Sequence, residues 1–423
     1  MKKMSINAIN ATQQSQINIS LIFNYLKDNG LSNRSRVAAD LGLSIPAVSR
    51  AIENLKMGEF IVQDYVESSS ARKGTPVYAV NADFGFVVAV DIFSVMTEAA
   101  VVDFAGRIRC RVNGFNPEES VDVAKDLTKL IDQCIEKFVT ESLKDKKKIQ
   151  AIGLGIPAVV DRKIGTVKLS YYSAYEEIDF VKLLEERYAL PVYMENISSL
   201  SALGEKTYGK RDSRESLVLL EIGAGIGSGI LLDGVVYKGA GYAGEIGFSL
   251  TDRSDVIQSD RRIGLLEKKA SLSALKFNVM RELSLGSESS LVSIFKSDRD
   301  SIKYHHIFEH AADGDILCRR MIEEMVLQIS IALHNMTIII HPESIIIGGD
   351  ICTLPETEKL ILFPIRENLQ KSLPFTPPEL SFSSLGHESG ILGAAVLAID
   401  SILSNEFPYH KSKTATRQTV QKP

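Results

Sequence analysis

Residues that build covalent or metal-bound frameworks are scarce in this sequence. It has no tryptophan and only four cysteines among 423 residues. The cysteines lie far apart and form no C-x-x-C pair: Cys110, Cys134, Cys318 and Cys352. This spacing indicates neither a disulfide framework nor a zinc site. We therefore expect reduced thiols, no bound metal and no cofactor.

Long apolar runs are missing as well. The first twenty residues contain no apolar core followed by a small-residue cleavage site. No apolar run reaches the ~20 residues of a membrane-spanning helix. With 45% hydrophobic and 24% charged residues, the composition is that of an ordinary globular protein. We expect a cytoplasmic location.

Charge is unevenly distributed along the chain. A length of 423 residues suggests ~3 domains. Residues 1–82 contain nine Lys or Arg and six Asp or Glu, a net charge of +3, so the remainder must have −8 to give the total of −5. A small basic module on an acidic body is consistent with a nucleic-acid partner for the module alone.

Three short helices and a hairpin are predicted in the first 82 residues. Apolar residues at helical spacing in 18–29 stop at Gly30, and a second helix over 34–41 stops at Gly42. Ser44 is placed to cap a third helix, IPAVSRAIENLKM. After Gly58, two alternating segments surround a basic tip. This order is typical of a winged helix-turn-helix.

The third helix is predicted to be a recognition helix. Val48, Ile52 and Leu55 form one apolar face, which leaves small, hydroxyl, basic and amide side chains outward. Such side chains suit the acceptors and methyl groups of a DNA major groove. The candidate DNA-binding residues are Arg34, Ser44, Pro46, Ala47, Ser49, Arg50 and Asn54, with Arg72 and Lys73 at the wing tip. The alternative is a helical adaptor that binds no nucleic acid.

The most glycine-rich stretch lies at 220–248. Glycines alternate from Gly223 to Gly229 between two apolar runs, and four more surround Glu245. Two strands joined by such a turn let the backbone approach a ligand closely, because no Cβ intervenes. The pattern alone leaves two interpretations open, a phosphate or sugar cradle and a hairpin without a ligand.

The rest of the body alternates strands with helices. The hairpin at 84–108 has the same plan as the segment 217–236: apolar strand, acidic residue, turn and second apolar strand. Helices are predicted at 121–143, 180–187, 270–283, 315–336 and 391–403, and buried strands at 151–160 and 344–350. These patterns predict an α/β body of two repeated lobes, with a ligand cleft between them.

Several motifs together resemble the ROK family of repressors and sugar kinases. They are GLGIPAVVD, LPVYMENISSLSALGE, GAGIGSGI, GYAGEIGF, PESIIIGGD and SSLGHESGILGAAVLA. With the winged helix-turn-helix in front, the chain is similar to that family's sugar-responsive transcriptional repressors. The resemblance implies an actin-like bilobal body, a sugar in the cleft and a homodimer or homotetramer. We place the domains at 1–82, 83–205 and 206–423, with helix 391–403 returning to the first lobe.

Two departures from the family's kinases argue against phosphoryl transfer. The kinases have an Asn-Asp pair where this chain has Asn196-Ile197, and isoleucine accepts no proton. In the first phosphate turn, Phe93 and Ser94 replace two glycines, and their side chains would obstruct the amides that surround phosphates. We therefore expect no enzymatic activity.

The zinc ligands common in the family are replaced too. Members often have one histidine and three cysteines after the AGE segment. Here these positions are Phe248, Gln258, Asp260 and Leu265. Because none of them offers an imidazole or a thiolate, we predict no structural zinc.

The resemblance also implies an effector site. Its candidate residues are Asn196, Glu245, Gly244, Gly225 and Gly227. Glu245 matches the family's sugar-binding carboxylate, Asn196 its amide, and the turn at Gly225 its second phosphate loop. Alternatively, Glu245 caps backbone amides beside Gly244, and Asn196 caps the following helix.

The sequence thus predicts a DNA-binding transcriptional regulator, a repressor of sugar uptake or catabolism genes, with a catalytically degenerate sugar-kinase-like domain. Its expected partners are double-stranded operator DNA, a small sugar and further copies of the chain. Two alternatives stay open: a sugar kinase with an appended DNA-binding domain, and a constitutive DNA-binding protein with a vestigial cleft. The sugar, the operator and the sign of regulation are left open.

Overall fold

The structure is a computed structural model that divides into two compact units. It describes residues 11–66, 75–92, 96–117, 119–142, 145–161, 164–170, 172–209, 216–253, 255, 263–294, 298 and 301–406. One unit comprises 1–86, 103–107 and 399–423, and the other comprises 87–102 and 108–398. Within the described ranges, no helix is long and apolar enough to cross a membrane.

The first unit contains three helices and a two-stranded hairpin. These are α1 Ala11–Asn29, α2 Arg34–Asp40, α3 Ile45–Met57, β1 Ile61–Val66 and β2 Thr75–Val80. β1 and β2 pair antiparallel, with Ile61 opposite Val80 and Val66 opposite Thr75. The predicted winged helix-turn-helix is confirmed. The first helix, however, begins at Ala11 instead of Asn18.

Local capping explains where the second and third helices begin. The Asn33 side chain accepts a hydrogen bond from the Arg36 amide at 2.9 Å, and the Ser44 hydroxyl accepts one from the Ala47 amide at 3.4 Å. Both residues therefore satisfy amides that a helix start leaves free. Val48, Ile52 and Leu55 are fully buried, as their spacing predicts.

Three aromatic rings pack against one another in the first unit. The rings of Phe60 and Phe84 lie 4.3 Å apart between centroids, and those of Phe84 and Phe104 lie 5.0 Å apart in an edge-to-face arrangement. Phe104 lies in the turn 103–107 and is fully buried. Such ring pairs stabilise a fold beyond their buried area alone.

The second unit alternates strands and helices. Its first half contains β3 Phe86–Ile92, β4 Thr97–Asp103, β5 Ile108–Asn113, α4 Val123–Ser142, β6 Ile149–Ile156, β7 Ala158–Asp161, β8 Thr166–Ser170, α5 Phe180–Tyr188, β9 Val192–Asn196 and α6 Ile197–Tyr208. Its second half contains β10 Leu217–Ile222, β11 Ile226–Leu232, β12 Val235–Val236, α7 Glu267–Ala270, α8 Leu272–Ser284, α9 Ser290–Ile294, α10 Tyr304–Ala312, α11 Ile316–Ile340, β13 Ser344–Gly348, α12 Phe363–Ser372, β14 Glu379–Phe382 and α13 Glu388–Glu406.

Two five-stranded sheets with one topology organise these elements. The first sheet has the order β5-β4-β3-β6-β9, and the second has the order β12-β11-β10-β13-β14. In each, three strands that follow one another in the chain are extended by two later strands, which pair parallel to their neighbours in β6–β9, β10–β13 and β13–β14. The predicted α/β fold of two repeated lobes is confirmed.

Glycines let helices approach these sheets closely. A Cβ added at Gly229 on β11 would overlap the carbonyl oxygen of Ser198 on α6. One added at Gly153 on β6 would overlap that of Ala394 on α13. At these positions the glycines serve helix–sheet packing, so ligand approach does not account for the whole alternating series.

Two predicted segments differ from the structure. The helix predicted at 270–283 is interrupted at Ser271, whose hydroxyl accepts a hydrogen bond from the Ala274 amide at 3.1 Å and so begins α8. The strand predicted at 151–160 is two strands, β6 and β7, separated at Pro157. In both cases an apolar pattern continues across a residue that ends one element.

Candidate sites on the helix-turn-helix and in the body cleft

The outer face of α3 is open to solvent. Pro46 and Arg50 are exposed, and Ala47, Ser49 and Asn54 are half-buried. The opposite face is buried against α1 and α2, so these five side chains belong to the accessible surface of the helix, together with the exposed Ile45, Glu53 and Met57. Their assignment to DNA contacts stays a prediction. Arg72 and Lys73 lie outside the described residues.

Arg34 and Ser44 make contacts within the first unit. A guanidinium nitrogen of Arg34 lies 2.5 Å from a carboxylate oxygen of Glu53, and its guanidinium lies over the Tyr78 ring at 5.2 Å from the centroid. Arg34 thus connects α2, α3 and the hairpin. Ser44 caps α3, as described above. A DNA contact by either residue would come in addition to these roles.

The cleft in the second unit is a cavity of ~530 Å³. Its wall combines the β7–β8 hairpin, the start of α6, the turn after β10, the segment around Glu245, and α7 and α8. Four of the five predicted effector residues line it: Asn196, Gly225, Gly227 and Glu245. Gly244 is not in the wall. It adopts φ +93°, and a Cβ there would lie 2.5 Å from the Ser228 carbonyl oxygen, so it fixes the turn before Glu245.

Glu245 presents a carboxyl group to this cavity. It is half-buried and makes no capping hydrogen bond at the short helical turn that follows it. The capping alternative therefore has no support in the geometry. Burial, with the nearby carboxyl of Glu267 as a second cause, raises the pKa of Glu245 from its usual 4.5 to about 7.

Glu267 is a cavity residue to which the sequence analysis gave no functional role. Its carboxylate accepts a hydrogen bond from the Ile226 amide at 2.9 Å. A Cβ at Gly225 would lie 2.7 Å from the same oxygen. Burial raises the pKa of Glu267, and the hydrogen bond partly opposes this. The Glu267 carboxylate thus occupies the Ile226 amide of the glycine turn, an amide that could otherwise bind a phosphate.

Asn196 caps α6. Its side-chain oxygen accepts a hydrogen bond from the Ser199 amide at 3.2 Å, and its side-chain nitrogen donates one to the Ala158 carbonyl at 3.2 Å. The capping alternative is therefore present in the structure, while the sugar contact stays a prediction. The next residue, Ile197, is buried, and its side chain occupies the space above Gly155 and Gly390.

Two further carboxyl groups are buried near the cleft. Glu221 accepts hydrogen bonds from the hydroxyls of Ser198 at 2.5 Å and Ser201 at 2.7 Å. Asp91, at the end of β3, has one oxygen with no partner among the described residues. Burial raises the pKa of both groups, and the proximity of Glu221 raises that of Asp91 further. Phe93 and Ser94, which follow Ile92 in the chain, lie outside the described residues.

The position of the family's zinc site offers an unsuitable donor set. Phe248 and Leu265 cannot bind zinc, and Gln258 and Asp260 lie outside the described residues. No cluster of three or more His, Cys, Asp or Glu side chains suited to a metal ion occurs in the described part of the chain.

An ion pair holds this part of the chain instead. Asp255 lies 2.6 Å from the Lys269 ammonium and accepts hydrogen bonds at 2.9 Å from the amides of Thr251 and Asp252. The Asp255 side chain is 1% exposed. Burial alone would raise its pKa, but Lys269 and the two amides outweigh it and hold the pKa below its usual value. The segment after Phe248 is thereby tied to α7, which contains Glu267.

Two sheets of one topology and a cavity lined by carboxyl groups and a glycine turn define the class as bilobal sugar-kinase-like proteins, here preceded by a winged helix-turn-helix. The chain belongs to the ROK family, whose model matches residues 87–401. It is 28% identical over 403 residues to the xylose repressor of Caldicellulosiruptor bescii, which covers 93% of this chain and 98% of that protein.

Two other similar proteins are a sugar kinase and a transcriptional regulator of known structure. The chain is 25% identical over 316 residues to a glucokinase of Halalkalibacterium halodurans, covering 73% of this chain and 94% of the glucokinase. A solved ROK family transcriptional regulator, described as a homologue of the E. coli MLC protein, matches with a TM-score of 0.74 and 22% identity over 93% of this chain and 99% of that one. The latter match shows the fold over both units.

Proposed function

We propose that this protein is a sugar-responsive transcriptional repressor without kinase activity. One observation supports the proposal most strongly: the same chain presents an open helix-turn-helix surface and a cleft in which the buried Ile197 stands at the position of the kinase base. Residues 1–82 would bind operator DNA, and the lobes 83–205 and 206–423 would close over the effector. We place this activity in the cytoplasm, in a homodimer or homotetramer.

DNA binding is assigned to the outer face of α3 and to the wing. Arg50 would donate hydrogen bonds to guanine or to phosphate, and Ala47 and Pro46 would contact thymine methyls. Two copies of α3 in a dimer would meet half-sites about one helical turn, or a multiple of it, apart.

The effector is assigned to the cavity around Glu245. When ionised, the Glu245 carboxyl is suited to accept hydrogen bonds from sugar hydroxyls. Glu267 and the Asn196 amide are adjacent candidates. Similarity to a xylose repressor favours a pentose as the sugar. For regulation, the sugar must bind the DNA-releasing state more tightly than the DNA-bound state.

Phosphoryl transfer is disfavoured by the cleft chemistry. Ile197 cannot act as a base, and the Ile226 amide is already bonded to Glu267. A sugar kinase with an appended DNA-binding domain remains the second candidate because of the similarity to a glucokinase. A constitutive DNA-binding protein with a vestigial cleft is the third.

One set of measurements on the full-length protein separates the three candidates. Bound genomic DNA is mapped, thermal shifts are recorded with pentoses, hexoses and amino sugars, and ATP consumption is followed in a coupled assay with each sugar. A repressor enriches sites beside sugar-transport or catabolic genes, is stabilised by a sugar, and consumes no ATP. Sugar-dependent ATP consumption would establish the kinase. Specific DNA sites without any sugar stabilisation would establish the constitutive binder.

A further inference from the structure

The cavity is larger than one sugar ring requires. Even if each heavy atom took the ~30 Å³ of a liquid water molecule, the ten heavy atoms of a pentose would occupy no more than ~300 Å³. The cavity has ~530 Å³. A ring held at Glu245 therefore leaves room for a second group of comparable size.

The additional wall is contributed by α8. Ser271, Ser273, Ala274 and Phe277 line the same cavity as Glu245. Ser271 and Ser273 already take part in hydrogen bonds, with the Ala274 amide and with the Tyr304 hydroxyl. Phe277 differs from them because its side chain is 66% exposed although it is large and apolar. An aromatic ring at the wall of such a cavity is a suitable surface for the apolar face of a sugar ring.

The charged side chains in the described part of the wall disfavour an anionic second group. Among the residues that the structure describes, the wall contains three carboxyl groups, Glu221, Glu245 and Glu267, and one cation, Lys268. The nearby Ile226 amide donates to Glu267 and is not free for a phosphate. Nucleotides and sugar phosphates would bring further negative charge to these carboxyl groups, and Lys268 is the one cation that faces them in the described part of the wall.

We propose that the cleft binds a neutral saccharide of two linked rings, with one ring at Glu245 and Glu267 and the other against Phe277. This inference rests on the proposed sugar-binding function of the cleft and specifies its ligand class. Phe277 is then the residue that selects a disaccharide over its component monosaccharide.

The test compares matched ligands by calorimetry on the full-length protein. The pairs are xylose with xylobiose and glucose with maltose and cellobiose, and the anionic probes are glucose 6-phosphate and a non-hydrolysable ATP analogue. At least one disaccharide should bind tenfold or more tightly than its monosaccharide. Phe277→Ala should remove that difference and leave monosaccharide affinity within about twofold. Leu285→Ala, an equally exposed apolar change just beyond α8, should leave both affinities unchanged.

The outcomes distinguish this inference from the proposed function. Monosaccharides that bind at least as tightly as all their disaccharides would overturn the two-ring ligand and leave the sugar effector intact. Unchanged disaccharide affinity in Phe277→Ala would overturn the role of Phe277. Binding of the ATP analogue in competition with the disaccharide would assign this part of the cavity to a nucleotide. Failure of every saccharide to bind would overturn the proposed sugar effector itself.

Discussion

At the scale of single residues, the cleft contains two carboxyl groups with raised pKa values and an isoleucine that cannot accept a proton. Glu245 and Glu267 face one cavity, and burial raises the pKa of each. Ile197, next to Asn196, provides only apolar packing. Such a site can accept hydrogen bonds from a polyol but cannot take a proton from it at the usual kinase position.

Glu245→Gln should remove a pH dependence of both binding and stability. Because the pKa of Glu245 is about 7 in the folded chain and 4.5 ordinarily, the folded state retains the proton up to a higher pH than the unfolded state does. The free energy of unfolding should therefore fall as pH rises between these two values, and the glutamine variant should lose less stability over that interval. Saccharide affinity should rise with pH through about 7 in the parent and be about 10- to 100-fold lower and flat in the variant.

Thermal unfolding at pH 5 and pH 8, with calorimetric titrations of saccharide, tests this prediction. Glu186→Gln, an exposed carboxyl on α5, is the control. Equal pH profiles for the parent protein and Glu245→Gln would show that Glu245 is not the titrating group.

Arg50→Ala should strongly weaken specific DNA binding without loss of stability. Its side chain is exposed on α3, so its removal costs no buried contact, while a lost base contact costs about 1–3 kcal/mol. The measurement is operator affinity across a series of salt concentrations, with Lys182→Ala on α5 as a charge-matched control. Full affinity of Arg50→Ala at moderate salt would contradict the assignment of the recognition helix.

At the scale of elements, a buried ion pair between Asp255 and α7 contributes to positioning the cleft. Asp255 is buried and bonded to Lys269 and two amides. The ion pair fixes α7, and α7 places Glu267 beside the glycine turn. The pair thus helps to position Glu267 in the cleft.

Lys269→Met should weaken both stability and saccharide binding. It leaves the Asp255 charge buried and unpaired, which costs about 3 kcal/mol. The double variant with Asp255→Asn should lose less than the sum of the two single changes, because the unpaired charge is gone. Unfolding in urea and saccharide titration measure both effects. EDTA should change neither. A fall in stability with EDTA, or a Lys269→Met protein as stable as the parent, would contradict this role.

Much of the element order could be predicted because its signals are local. Helical spacing, Ser44 as a cap and the glycines after α1 and α2 lie within a few residues of the features they determine. The break at Ser271 was missed because apolar residues continue on both sides of it. Glu267 was missed as a site residue because its neighbours, Glu245 and the Ile226 amide, are distant in the chain. The contacts of Arg34 with Glu53 and of Asn196 with the Ala158 carbonyl were missed for the same reason, because their partners are distant in the chain.

At the scale of the whole molecule, regulation requires that the cleft and the helix-turn-helix influence one another. Each unit has its own core, so each can keep its ligand chemistry when the other site is altered. Coupling is then a difference in saccharide affinity between two states of the chain, and by linkage DNA must weaken the saccharide as much as the saccharide weakens DNA.

Saccharide-dependent release of operator DNA tests the central claim most directly. Fluorescence anisotropy with a mapped operator gives the DNA affinity of the parent protein and of Glu245→Gln, each with and without a saccharide that stabilises the parent. We expect the saccharide to weaken DNA binding by the parent at least tenfold. Glu245→Gln should bind the operator as tightly as the parent and should not be released. Operator affinity that stays unchanged in the parent at saturating saccharide would contradict the account.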